Sequence, residues 1–360
     1  MRLLAVATLL IGTITAIPAV EPARPLSPTE VNWSKPNAVL GELADSLAKQ
    51  ADVPIVVDRG AVKARCNLQF NKTPFWEALQ STTEATGTRL VLHNGGRKIE
   101  LVPRGKSREV ATTSGSFRVV AQQVIGRALL DQGITYHEIH LLVHWEPRLR
   151  VYRIDSTPKI SQATDVPGST ITAESGGSQI LPLDATSELK VKLTGLTRNS
   201  GQITSLAGTF NVTAADKLLA FTFDSASKLP VTGKLPAERT DPGVSAILKR
   251  AQKKDTTWEL EVEVTYPPNQ PIFESFQGEW WLRDNRLLVR SPKGKVFVIE
   301  DYEVPSPDNP RPLRAIYRFK EDPKTGLGNP TETGWSIVYE TPSPLVDAKV
   351  PFELKDIPLP

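Results

Sequence analysis

The sequence predicts a multi-domain chain: a small α+β N-terminal module followed by all-β, immunoglobulin-like sandwich modules. Three observations carry this. Apolar residues recur at helical spacing before Lys106 and alternate with a period of two after it. Proline accounts for 30 of the 360 residues, which disfavours an all-helical fold. A long hairpin pattern occurs twice in the second part of the chain. With 39% apolar residues the chain can bury substantial cores, and its length fits two or three domains. Lys and Arg number 43 against 40 Asp and Glu, a net charge of +3 spread along the chain. That is not the concentrated basic face needed to hold nucleic-acid phosphates. The single cysteine, Cys66, excludes an internal disulfide and a multi-cysteine metal site.

Residues 1–19 (MRLLAVATLLIGTITAIPA) read as a signal peptide. Arg2 supplies the positive start, about a dozen mostly apolar residues follow, and Ala16 and Ala19 are the candidate cleavage points. The run is shorter than the ~20 apolar residues that span a bilayer, and no second run of spanning length follows. The mature protein is therefore expected outside the cytoplasm, without a membrane span. Export without disulfides fits a bacterial periplasm or cell envelope. The sequons at Asn32, Asn71 and Asn211 have meaning only in a eukaryotic host. Residues 20–28 are Pro-rich and read as a linker.

The first module is expected over 29–104. Val39, Leu40, Leu43, Ala44, Leu47 and Ala48 form one apolar stripe of a helix that Asn37 can cap and Pro54 stops. Residues 55–57 form a short strand, and Cys66, Leu68 and Phe70 alternate along a second. Thr73-Pro74 opens another helix carrying Phe75, Ala78 and Leu79, with Gly87 placed to end it. Two strands then flank Asn94-Gly95-Gly96, a hairpin turn.

These residues resemble the secretin and TonB short N-terminal domain. Leu47-Ala48 at a helix end, Val56-Val57-Asp58 at the first strand, residues 67–70 in the second and Ala78-Leu79 in the second helix carry the resemblance. It implies a periplasmic protein–protein interaction module with no catalytic residues to carry over. No secretin or barrel pattern follows, so the chain is read as neither a secretin nor a TonB-dependent receptor.

Two β modules are expected at 107–236 and 237–360. In 134–145, His137, Ile139, Leu141, Val143 and Trp145 share one face, with Tyr136, Glu138, His140, Leu142 and His144 on the other. The preceding 117–133 is read as its hairpin partner, because a comparable arrangement recurs at 244–266. There Trp258, Leu260, Val262 and Val264 face inward and Glu259, Glu261 and Glu263 face out. The first module is expected to close with LLAFTFDSASKLP and the second with VPFELKDIPLP. The segments HWEPRLRVYRID, FESFQGEWWLRDNRLLV and VPFELKDIPLP make this part similar to uncharacterised exported β proteins of planctomycete bacteria, a resemblance that implies no known activity.

The chemistry-bearing residues are sparse. On a strand, His140 and His144 lie roughly 13 Å apart and His137 points away, so the three do not converge on a metal ion. Ser-x-x-Lys occurs four times, beginning at Ser46, Ser156, Ser187 and Ser225, which shows how cheap that pattern is. Cys66 lies on a strand with no helix N-terminus to activate it. Asp155, Asp165, Glu174 and Glu274 are carboxylates without a readable pairing. Glu259, Glu261 and Glu263 read as a solvated face that discourages edge pairing. The residues singled out for ligand or partner contact are Trp280, Trp281, Phe273 and Phe276, because adjacent strand tryptophans point to opposite faces and leave one to be covered. No catalytic, cofactor or metal site is expected. The expectation is an exported, non-catalytic envelope protein that binds a protein partner. The alternatives are a carbohydrate- or cell-wall-binding protein using those aromatics, and an unrecognised hydrolase.

Overall fold

The computed structural model describes residues 26–106, 108–174, 176–197, 199–224, 237–241, 243–268, 284–305 and 312–360. The signal-peptide reading at 1–19 and most of the expected linker lie outside these residues. The protein is mostly β, with two helices among the described residues.

Both helices lie in the first part. Helix α1 spans Leu40–Ala51 and helix α2 spans Phe75–Thr86. Asn37 does not cap α1. A two-residue strand, Ala38–Val39, pairs with Arg65–Cys66 instead, and the Ala64 carbonyl accepts from Leu40 N–H at 2.8 Å, satisfying a first-turn donor. Asp52 ends α1 in a left-handed conformation, before Pro54, and Gly87 ends α2 in the same way. The expected Cys66-to-Phe70 strand is split into Arg65–Cys66 and Phe70–Pro74, with Asn67 between them accepting from Asn37 N–H. Cys66, Leu68 and Phe70 still share the core with the helix stripes. Ile55–Val57 lies parallel to Lys98–Pro103, which forms a hairpin with Thr88–His93.

From Val110 onward all named strand pairings are antiparallel, and they build two sandwiches. In the first, one sheet runs Thr172–Ala173, Thr186–Thr194, Ile134–Trp145, Phe117–Leu129 and Val110–Ser114. Facing it, the strand Gln202–Ala215 is flanked on one side by Lys159–Asp165 and Arg150–Asp155 in succession. The expected alternation holds: Ile139, Leu141, Val143 and Trp145 are buried, and they share a core with Phe210, Val212 and Leu354 from the opposite sheet. In the second sandwich, Leu218–Asp224, Ser336–Pro342, Arg286–Arg290 and Val296–Ile299 face Ala237–Asp241, Val244–Lys254, Thr257–Thr265, Leu313–Lys320 and Tyr302–Glu303. Trp258, Leu260, Val262 and Val264 point into its core, as their alternation predicts.

The module ends are exchanged relative to the expectation. Leu218–Asp224 does not close the first sandwich; it pairs with Ser336–Pro342 in the second. The C-terminal strand Leu345–Pro358 does not close the second; it runs along the whole of Gln202–Ala215 in the first, from Gln202↔Pro358 to Ala215↔Leu345. Both end strands alternate apolar and polar residues, so periodicity is the same for either assignment; pairing distinguishes them. The boundary at 236/237 is thus replaced by two adjacent crossings, at 216–217 and 343–344. Ser343 joins these crossings: its N–H donates to the Lys217 carbonyl at 2.9 Å, and its hydroxyl accepts from Asp216 N–H at 3.1 Å.

Residues 26–28 are not a free linker. Leu26 is buried in the first sandwich core, and its carbonyl accepts from the Ser116 hydroxyl at 3.4 Å. No helix among the described residues is long and apolar enough to cross a membrane.

Deleting residues 345–360 leaves Gln202–Ala215 unpaired along one full edge. The expected outcome, read by hydrogen exchange, is loss of amide protection in the first sandwich with protection retained in 244–265 and 313–320. Equal loss in both sandwiches would contradict this assignment.

Candidate functional site

The three parts of the chain meet at the turn between the strands Ile134–Trp145 and Arg150–Asp155. Glu146, Pro147, Arg148 and Leu149 make this turn, closed by Leu149 N–H donating to the Glu146 carbonyl at 2.9 Å. Glu146 is only 2% exposed. Its carboxylate accepts from Thr29 N–H at 2.9 and 3.1 Å, from the Thr29 hydroxyl at 2.5 Å and from Arg148 Nε at 2.7 Å. Arg148 also donates through Nη1 to the Asp216 carboxylate at 2.7 Å and through Nη2 to the Ser27 carbonyl. One guanidinium thus ties the N-terminal strap, the turn and a crossing between the sandwiches.

Two further contacts fix the N-terminal part. Trp76, fully buried on α2, donates its indole N–H to the Ser116 carbonyl at 3.1 Å and lies 6.4 Å, centroid to centroid, from the His144 ring. At the hairpin turn, Ala185 N–H donates to the Gly95 carbonyl at 2.7 Å. Gly95 has φ +63°, and a Cβ there would overlap the Asp184 side chain. Glycine is needed at this position for the approach as well as for the turn.

Beside this junction is a small, open-mouthed cleft. Arg97 comes from the N-terminal hairpin, Trp145, Arg150 and Tyr152 from the first sandwich, Asp184 from the loop that meets Gly95, and Asp284 from the second sandwich. The Tyr152 hydroxyl donates to Asp284 at 2.9 Å. Burial first, and then the Asp284 charge, push the Tyr152 phenol well above its ordinary range, so it stays protonated and donating.

Trp280, Trp281, Phe273 and Phe276 lie outside the described residues, as does Glu274. The histidines sit on a strand. His140 is held between Glu138 at 2.7 Å and Glu188 at 2.9 Å. His144 is buried; burial first, and then the Arg118 charge, lower its imidazole to about 3. Among the described residues no group of three or more His, Cys, Asp and Glu side chains could hold a metal ion. Asp155 accepts from Asn211, Asp165 from Ser200 and Ser169, and Glu174 pairs with Lys192, so these carboxylates serve separate local contacts. Ser46 accepts from Gln50 on α1, and Cys66 is buried, which raises its thiol.

Glu259, Glu261 and Glu263 guard no edge. Their strand lies inside its sheet, and they pair across it with Lys254 (2.8 Å), Arg250 (3.5 Å) and Arg314 (2.9 Å).

The junction residues escaped sequence reasoning, although Trp145, Glu146, Arg148, Arg150 and Tyr152 all fall within HWEPRLRVYRID. The available signal was the alternation of arginines and aromatics around one proline turn. Neither the family models nor the curated proteins compared with this chain match it.

Two outcomes follow from this geometry. Arg148→Met leaves the Glu146 charge buried without its partner and is expected to cost about 3–5 kcal/mol in urea unfolding. The double variant Glu146→Leu/Arg148→Met removes both charges and should cost less; a single-variant loss below about 1 kcal/mol would refute the clasp. His144 stays neutral in the folded chain while the unfolded chain binds a proton below about pH 6.5. Its contribution is therefore fully present above pH 6.5 and is lost as pH falls toward 3, with a slope of up to about 1.4 kcal/mol per pH unit. His144→Gln should flatten that part of the stability–pH curve by one proton.

Proposed function

We propose that this is an exported, non-catalytic protein of a bacterial envelope, in which 29–104 binds a protein partner and two immunoglobulin-like sandwiches hold it in place. The observation that carries the reading is the three-way clasp. Thr29, Trp76 and Gly95 fasten the N-terminal part to the first sandwich, and paired crossings join that sandwich to the second. Such anchoring suits a part that is presented rather than swung. The apolar leader at 1–19 and the resemblance of 29–104 to the secretin and TonB short N-terminal domain supply the location and the kind of partner.

The contact mode we favour is strand addition at Ile55–Val57. Ile99 N–H donates to the Pro54 carbonyl, and Asp58 N–H to the Leu101 carbonyl. In a parallel ladder, alternate residues face the neighbour, so the N–H and C=O groups of Ile55 and Val57 face outward. Val56 is 38% exposed beside them. An extended partner segment can hydrogen-bond to this row.

The test is a tagged full-length chain expressed in its native host and cross-linked before extraction. A processed chain in the envelope fraction, joined to one recurrent protein, is expected, with recovery of that protein reduced at least tenfold by Val57→Pro at unchanged abundance. An unprocessed cytoplasmic chain, or one that joins no protein at any salt, would refute the proposal.

A further inference from the structure

We propose that the junction cleft is a binding site for a carboxylate carried on an apolar body, with Arg150 as the inner contact and Arg97 at the rim. This does not depend on the partner reading above, because the cleft and the Ile55–Val57 edge involve different residues.

Arg150 Nε is shielded from solvent and has no hydrogen-bond partner. The fold therefore leaves part of this guanidinium's hydrogen-bonding capacity unused. Arg118 and Arg250 also carry a buried Nε without a partner, but each of those guanidiniums still meets a carboxylate. Arg148 meets Glu146 and Asp216, Arg118 meets Glu109, and Arg318 meets Glu259 and Glu303. Arg150 and Arg97 have no carboxylate within 4.0 Å among the described residues, although Asp184 and Asp284 line the same cleft. Asp284 is engaged by the Tyr152 hydroxyl. Asp184 sits over the Gly95 turn.

Arginine is the side chain suited to the acceptor proposed. Its planar fork gives two parallel N–H donors to a carboxylate, and the two terminal Nη groups can supply both. The ligand's body is set by the remaining walls. Leu181 and Leu183 are 41% and 53% exposed, and with Pro182 and the Trp145 and Tyr152 side chains they form an apolar lining. A small open cleft takes an end group rather than an enclosed molecule. The carboxylate of a small apolar acid and the C-terminus of a peptide ending in an apolar residue share this chemistry.

The experiment is calorimetric titration of the full chain with three probes: N-acetyl-leucine, N-acetyl-leucinamide and a hexapeptide ending in leucine with a free carboxylate. Saturable binding of N-acetyl-leucine or the hexapeptide is expected, with affinity for the amide at least tenfold weaker. Tighter binding of the hexapeptide would assign the site to chain ends, and equal binding to small acids. Arg150→Gln should weaken the carboxylate at least tenfold and Arg97→Gln about threefold. Arg150→Lys, which keeps the charge without the fork, should fall between wild type and Arg150→Gln. Each variant is first checked for an unchanged melting temperature, and the three substitutions together keep the proposal testable if one fails to fold. Equal affinity for acid and amide, full affinity in Arg150→Gln, or no saturable binding of any probe would overturn it. None of these results bears on partner recovery through Val57, so the two proposals fail separately.

Discussion

The paired crossings at 216–217 and 343–344 are the constraint on which the rest of the molecule depends. Gln202–Ala215 and Leu345–Pro358 are hydrogen-bonded in the first sandwich, and Leu218–Asp224 and Ser336–Pro342 in the second. The same two stretches of chain form both pairs, so they act as one ribbon with a bend, and Ser343 supplies the hydrogen bonds that the bend would otherwise leave unmade. A single connecting strand would leave the sandwiches free to rotate about it. Two antiparallel connections joined across the bend resist that rotation, and Tyr152 bonding to Asp284 adds a third point of contact away from the ribbon.

The Arg148 guanidinium extends this constraint to the N-terminal part. Its partner Asp216 lies in one crossing, while Glu146 and Thr29 connect it to the strap. The desolvation of Glu146 is offset by three donors from Thr29 and Arg148, the condition under which a buried charge becomes a specific contact rather than a liability. The cleft is a geometric result of this assembly, since none of the three parts contains all of its walls.

Where the fold was legible in the sequence, the signal was local. The helix stripes, the glycine ending α2, the Asn94-Gly95-Gly96 turn and the inward rows of Ile134–Trp145 and Thr257–Thr265 each follow from spacing within about ten residues. The module ends were not legible, because LLAFTF and VPFELK present the same alternation and only their partners, more than a hundred residues away for each strand, distinguish them. The Glu259, Glu261 and Glu263 row shows the same limit. Their outward direction was readable, but neighbouring strands on both sides were not, so an ion-paired interior strand reads as a guarded edge. The candidate site was the least legible part. Arg97, Arg150, Asp184 and Asp284 are scattered over nearly two hundred positions and meet only through the docking of Gly95 and the bend of the ribbon. The aromatics at 273–281 were conspicuous by residue type, which says nothing about where they lie.

The exchanged ends also order events during synthesis. The second sandwich is inserted within the first, so the first cannot complete its inner sheet until Leu345–Pro358 has emerged, whereas the described strands of the second are complete at Pro342. From Ala215 until Leu345 the nascent chain carries a half-finished layer with an uncovered apolar face, of the kind that holdase chaperones recognise. A pause in synthesis between Ala215 and Leu345 therefore prolongs that exposure, and the arrival of Leu345–Pro358 ends it.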